Sequence, residues 1–214
     1  MPLNLSKPIL YLITRGTTTE ATTSDAPEFK QILDQISAAV VAGIDLIQIR
    51  EKQLTARVLF ELVAEAGKLT RAAHTRLLIN DRADIALATG ADGVHLTTRS
   101  LGATTIRKAF GDELLIGAST HSLDEVRSAR DEGADFVVFG PVFETKSKIQ
   151  FGPPQGLDEL ARVVRAVTGF PVLALGGIST TNAADCLAVG AHGIAAIGLF
   201  DDPETFAQLL GRFK

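Results

Sequence analysis

The chain has 214 residues, 46% hydrophobic but only 6% aromatic, with 21 Lys and Arg against 25 Asp and Glu for a net charge of −4. This length fits one packed domain over 1–214 and is too short for a second, and the slightly acidic balance excludes a global positive field for nucleic acid. No apolar run reaches the roughly 18 residues of a membrane span and MPLNLSKPIL lacks a signal-peptide core, so a cytoplasmic protein without membrane partners is expected.

In chain order, PILYLIT (Pro8 to Thr14) reads as a first strand. The Thr-rich run TRGTTTEATTSDAPE (Thr14 to Glu28) reads as an irregular, mobile loop, and Pro27 to Ala42 as a helix. One pattern then recurs four times: GIDLIQIR from Gly43, GADGVHL from Gly90, GADFVVFG from Gly133 and GAHGIAAIG from Gly190. Each closes an amphipathic stretch with Gly and runs into a short apolar segment, the signature of a helix end feeding a buried strand. Between the copies lie RLLIN (Arg76 to Asn80), ELLIGAS (Glu113 to Ser119) and PVLALGG (Pro171 to Gly177).

The intervening helices are predicted over Thr55 to Ala73, Arg82 to Thr89, Gly102 to Phe110, Ser122 to Glu132, Gly156 to Thr168, Thr180 to Val189 and Pro203 to Phe213. Ser122 with Glu125 forms a capping-box pattern, and Asp202 suits an N-cap before Pro203. Eight strand-helix units predict an α/β fold, a single (β/α)8 TIM barrel with eight parallel strands. A core of Val, Ile, Leu and Ala suits its layered interior. The one cysteine, Cys186, falls on the apolar side of a helix and reads as a packing residue.

In such barrels the chemistry sits where strands end. Alternation through QIREK places Gln48, Arg50 and Lys52 on one side, with Ile49 and Glu51 on the other; an Arg or Lys that merely closes the rim in salt bridges with Glu51 or a neighbour is the plainer reading. Asn80, Asp81 and Arg82 leave the third strand, where Asp81 suits either a cation or the N-cap of the next helix. Thr145, Ser147 and Lys148 form a hydroxyl-rich loop suited to phosphate oxygens, although Lys146 and Lys148 also read as solvated charges. Gly176, Gly177 and Gly198 follow the seventh and eighth strands, where backbone N–H groups reach phosphates in these barrels; a double Gly also turns corners. His95 and His121 are placed near the mouth, His74 and His192 away from it. No histidine pair has zinc-ligand spacing.

QIREK, INDRADIALATGADGVHL, IGASTHS, DFVVFGPVFETKSK and LALGGIS together resemble the thiamine phosphate synthase and TenI superfamily in order and spacing, over nearly the whole chain. The resemblance implies a transferase that joins a hydroxymethylpyrimidine diphosphate to a thiazole phosphate, dissociatively, releasing diphosphate with Mg2+ assistance. It implies phosphorylated small-molecule substrates, and it leaves a homo-oligomer open. By the same resemblance Gln48, Arg50, Lys52, Asn80 and Lys148 contact the pyrimidine diphosphate, with Arg50 and Lys148 catalytic and Asp81 a magnesium ligand. Ser119 faces the pyrimidine, Thr145 and Ser147 flank the thiazole, and Gly176, Gly177, Ile197 and Gly198 hold its phosphate.

Two positions depart from the family pattern. HLTTRSL carries Ser100 where synthases place a second magnesium carboxylate, with Arg99 beside it, and Gly198 replaces a common Ser. The lost carboxylate and VFET favour a TenI-like thiazole tautomerase, whereas Pro141 stands where tautomerases carry a His, leaving His121 or His95 as the shuttle. Retention of Arg50, Lys52, Asp81 and Lys148 favours the synthase. A non-catalytic binder of thiazole or thiamine phosphate is the third reading.

Overall fold

The computed structural model describes residues 3–145, 153–199 and 211. Eight strands, β1 (Ile9–Ile13), β2 (Leu46–Ile49), β3 (Arg76–Asn80), β4 (Gly93–Leu96), β5 (Leu115–Thr120), β6 (Phe136–Phe139), β7 (Val172–Leu175) and β8 (Gly193–Ala196), close a barrel in sequence order. All neighbours are parallel, and β1 pairs with both β2 and β8. Among the described residues the helices are α1 (Pro27–Val41), α2 (Ala56–Thr70), α3 (Ala83–Thr89), α4 (Ala103–Phe110), α5 (Leu123–Asp131), α6 (Gly156–Ala166) and α7 (Ala183–Ala188). The expected (β/α)8 architecture is present, and the helix expected over Pro203 to Phe213 lies outside the described residues apart from Gly211.

Elements end where local chemistry stops them. Thr55 caps α2 by accepting from Val58 N, so the helix begins one residue later than its periodicity suggests. Ser122 accepts from Glu125 N as the capping-box pattern predicts, but the Glu125 carboxylate reaches one residue further back, to His121 N. Apolar residues pack in two clusters, one between strands and helices and one inside the barrel, where Ile9, Tyr11, Ile13, Leu46, Leu78, Leu115, Phe136, Val138, Leu173 and Ala195 meet. Cys186 is buried as expected, which pushes its thiol up to about 11 and keeps it protonated.

The fourfold repeat has a physical basis. Gly43, Gly90, Gly133 and Gly190 all have positive φ, between 69° and 100°, the left-handed turn that ends a helix at little steric cost. Two residues after each Gly, a side chain accepts the backbone N–H at the start of the preceding strand: Asp45 from Leu10 (2.9 Å), Asp92 from Leu77 (2.8 Å), Asp135 from Ile116 (2.6 Å) and His192 Nδ1 from Val172 (3.2 Å). The pattern therefore stitches strands in pairs, β1 to β2, β3 to β4, β5 to β6 and β7 to β8.

In the fourth stitch the acceptor is an imidazole instead of a carboxylate. Burial lowers its pKa from the usual 6.5, because the charged ring loses solvation. A pKa depressed on folding gives stability that is present above the unfolded value and lost as pH falls through the folded one. The melting temperature should accordingly fall as pH drops below 6.5. In His192→Asp, which copies the other three stitches, that slope should flatten; an unchanged slope would show that another group titrates.

Candidate active site

The inner-wall positions at the C-terminal ends of β2, β3, β4 and β5 are polar, in phase with the apolar layer below. Gln48 stands beyond Leu46, Asn80 beyond Leu78, His95 on β4 and Ser119 on β5, with registers Asn80 to His95 and His95 to Gly117 joining neighbouring strands. Gln48 is 1% exposed, and its Nε2 has no hydrogen-bond partner. Native folds rarely leave such a donor unpaired, because an unmet buried donor costs about 1–3 kcal/mol, so this amide fits a ligand acceptor. His95 is 2% exposed and lies between Tyr11 Oη on Nδ1 (3.1 Å) and Ser119 Oγ on Nε2 (2.9 Å).

A cationic rim surrounds this floor. Arg50 leaves β2 half-buried, its N–H held by Thr14 Oγ1 at 2.8 Å. Lys52 follows in a turn beyond the strand, exposed, so the face it shares with Arg50 is set by that turn and not by strand alternation. Partial burial lowers the Lys52 pKa first, and repulsion from Arg50 and Arg99 lowers it further, against attraction from Asp81. Arg50, Lys52, Arg99 and Asp81 thus share one electrostatic neighbourhood. Three cations around one carboxylate leave a net positive charge there.

Glu51 points the other way, as alternation requires, and is 2% exposed. Its carboxylate accepts from Thr14 Oγ1 (2.7 Å), Gly16 N (2.9 Å), Thr18 N (3.2 Å) and Thr18 Oγ1 (2.8 Å). The first loop, expected to be mobile, is therefore anchored, with Thr14, Thr18 and Thr22 buried. Of the rim pairing, the Glu51 part does not hold, because four donors of the first loop take this carboxylate.

Asp81 sits at the end of β3 with φ 59°, a conformation that non-Gly residues seldom adopt, and its N–H donates to His95 O at 3.0 Å. The N-cap reading fails, because Arg82 occupies the cap of α3. The Arg82 guanidinium is also withdrawn from the mouth by two bonds to Asp84, at 2.8 and 2.7 Å. Ser100 Oγ accepts from Thr97 N at 2.7 Å, closing the TTRS turn upon itself.

On the far side of the mouth, Gly176 and Gly177 follow β7 with φ 99° and 64°. A Cβ on Gly176 would lie 2.6 Å from Pro141 Cα, and one on Gly177 2.5 Å from Glu144 O, so the corner reading of this pair has a steric basis alongside any phosphate role. Ile197 and Gly198 follow β8, Ile197 packing on the inner layer. Thr145 is half-buried at the end of a described stretch. Ser147 and Lys148 lie outside the described residues.

His121 is held by Gly140 O through Nδ1. Sequence reasoning missed Tyr11, hidden among the apolar residues of β1, and the tether made by Glu51. Tyr11 could have been found as an inward-phase polar residue, since it is two positions from both Ile9 and Ile13.

The sequence profile of the family described as thiamine monophosphate synthase matches residues 10–200. A putative thiamine-phosphate synthase of Geobacter sulfurreducens is 44% identical over 176 residues, 82% of each chain. The thiamine-phosphate synthase of Roseiflexus castenholzii is 37% identical over 212 residues, covering 98% of this chain and 92% of that one. Among solved structures, thiamine phosphate pyrophosphorylase from Pyrococcus furiosus superposes with a TM-score of 0.81 at 30% identity, covering 97% of this chain and 96% of that one. The mouth, the barrel beneath it and these likenesses agree: the chain belongs to the thiamine monophosphate synthase family.

Proposed function

We propose that this protein is a thiamine-phosphate synthase, a transferase that joins 4-amino-2-methyl-5-hydroxymethylpyrimidine diphosphate to a thiazole phosphate and releases diphosphate. The observation that carries the reading is the cluster of Arg50, Lys52 and Arg99 above a floor of buried polar groups. Diphosphate departure leaves negative charge on one side and an electron-poor pyrimidine methylene on the other. Preorganised cations stabilise the first, and a dry site protects the second from water. Arg50, with Lys148, takes the leaving oxygens; Lys52 and Asn80 hold the rest of the diphosphate. Gln48 and Ser119 fix the ring, Thr145 and Ser147 flank the thiazole, and the Gly176–Gly177 and Ile197–Gly198 backbones receive its phosphate.

Magnesium enters this reading in a reduced form. Among the described residues no group of three or more His, Cys, Asp or Glu could hold a metal, and the Ser100 hydroxyl is turned onto Thr97. One carboxylate, Asp81, fits an ion that keeps its waters and leans on substrate phosphates, with Arg99 supplying charge where a second carboxylate is missing. When bound, the ion would neutralise diphosphate charge. The tautomerase reading lacks a shuttle: Pro141 replaces the expected His, His121 is engaged by Gly140 O, and His95 is fixed below the mouth.

The test is incubation with both substrates, with and without Mg2+, reading thiamine phosphate by fluorescence after oxidation. Product is expected, with Mg2+ stimulation lost in Asp81→Ala. Absence of product with isomerisation of a thiazole carboxylate phosphate would replace the synthase by the tautomerase.

A further inference from the structure

Beneath the mouth, three strands contribute one hydrogen-bonded chain: Tyr11 from β1, His95 from β4 and Ser119 from β5. Tyr11 is fully buried and His95 is 2% exposed, while Ser119 is half-buried at the opening. Phe136 holds both rings, meeting Tyr11 edge-on at 5.6 Å between centroids and His95 at 6.1 Å. Gly117 makes the space, since a Cβ there would lie 2.4 Å from Phe136 Cζ and 2.8 Å from His95 Nδ1. The backbone and the aromatic packing thus leave the imidazole little room to turn.

The direction of the chain follows from its buried end. Burial keeps the Tyr11 phenol protonated, raising its pKa well above 10.0, and His95 is its hydrogen-bond partner. The phenol O–H therefore donates to Nδ1, because a buried hydroxyl hydrogen without an acceptor costs about 1–3 kcal/mol. A neutral imidazole that accepts at Nδ1 carries its hydrogen on Nε2, which donates to Ser119 Oγ. With a lone pair of that oxygen occupied from below, the Ser119 hydrogen is directed toward the opening.

Resting on the synthase reading, we propose that Tyr11 and His95 are positioning residues that hold Ser119 as a hydrogen-bond donor, so that the floor selects a heteroaromatic ring with a nitrogen acceptor facing it. The unpaired Gln48 amide is a second donor on the same inner wall. Both donors favour ring nitrogens over C–H edges. The selectivity is strong because a ring lacking the nitrogen leaves a desolvated donor unmet.

The test is a double-mutant cycle on Tyr11→Phe and Ser119→Ala, each checked for an unchanged circular dichroism spectrum. Tyr11→Phe should lower kcat/KM for the pyrimidine diphosphate about tenfold, with KM for thiazole phosphate unchanged. In the Ser119→Ala background the same change should cost less than about twofold, because there is no hydroxyl left to orient. Equal losses in both backgrounds, or no loss in either, would overturn the relay. His95→Gln, which keeps one N–H near Oγ, should recover more activity than His95→Leu; equal activities would also count against it. Wild-type turnover tests the synthase reading separately. The cycle is repeated on affinity for the free aminopyrimidine alcohol and its analogue with CH in place of a ring nitrogen, which requires no turnover. Wild type should prefer the nitrogen ring about tenfold, and a preference that survives in Tyr11→Phe would reject the proposal.

Discussion

Replacing Arg50 with Ala will lower the rate of thiamine phosphate formation by about 10²–10³-fold while the barrel stays folded, the loss typical of removing one preorganised group from a developing charge. Arg50 is suited to this role because its guanidinium presents a planar fork to phosphate oxygens. Its backbone is fixed independently of the side chain, through the N–H bond to Thr14 Oγ1. Nη1 also runs close to the first loop, 3.4 Å from the position of a Cβ on Gly16. Arg50→Lys keeps charge without the fork and should recover only part of the rate. Single-turnover kinetics with saturating substrates, beside a thermal melt, will separate the chemical loss from unfolding. A rate within threefold of wild type would remove Arg50 from the chemistry.

Glu51→Ala will have the largest effect on stability, about 4 kcal/mol, because four donors lose one buried acceptor at once. For a chain of this size that is a fall of roughly 8–16 °C in melting temperature. The backbone N–H groups of Gly16 and Thr18 cannot rotate to find other partners, whereas the two Thr hydroxyls can. Glu51→Gln retains one acceptor oxygen and should lose about half as much. Activity should fall with stability in both variants, since the loop so anchored lies against Arg50. A melt unchanged in Glu51→Ala would mean that the first loop is held by other contacts.

The barrel was legible because its signals are local. Most helix ends announce themselves by Gly in a left-handed turn, α2 with Arg71 at its cap being an exception, and each strand by four to six mostly apolar residues, so the order of elements could be read without any long-range information. Boundaries shifted where a cap intervened, as at Thr55. The stitches made by Asp45, Asp92, Asp135 and His192 were visible as a repeat, but their purpose needed the strand alongside.

At the site, alternation correctly sent Glu51 away from Arg50, yet its partners lie in a loop more than thirty residues earlier, beyond the reach of any periodicity. Tyr11 and His95 are 84 residues apart for the same reason. Asp84, two residues on, takes both bonds of the Arg82 guanidinium, a local competition that the spacing of the triplet does not rank.

The pairing of β1 with β8, Ile9 opposite Gly193, has a consequence during synthesis. Until the ribosome has released the chain through Ala196, the outer edge of β1 has no partner and presents bare N–H and C=O groups in an apolar strand. Seven strands can assemble as a growing curved sheet, but only the last converts two adhesive edges into a seam. A nascent chain stalled before β8 is therefore the form of this protein most exposed to aggregation and most in need of chaperones.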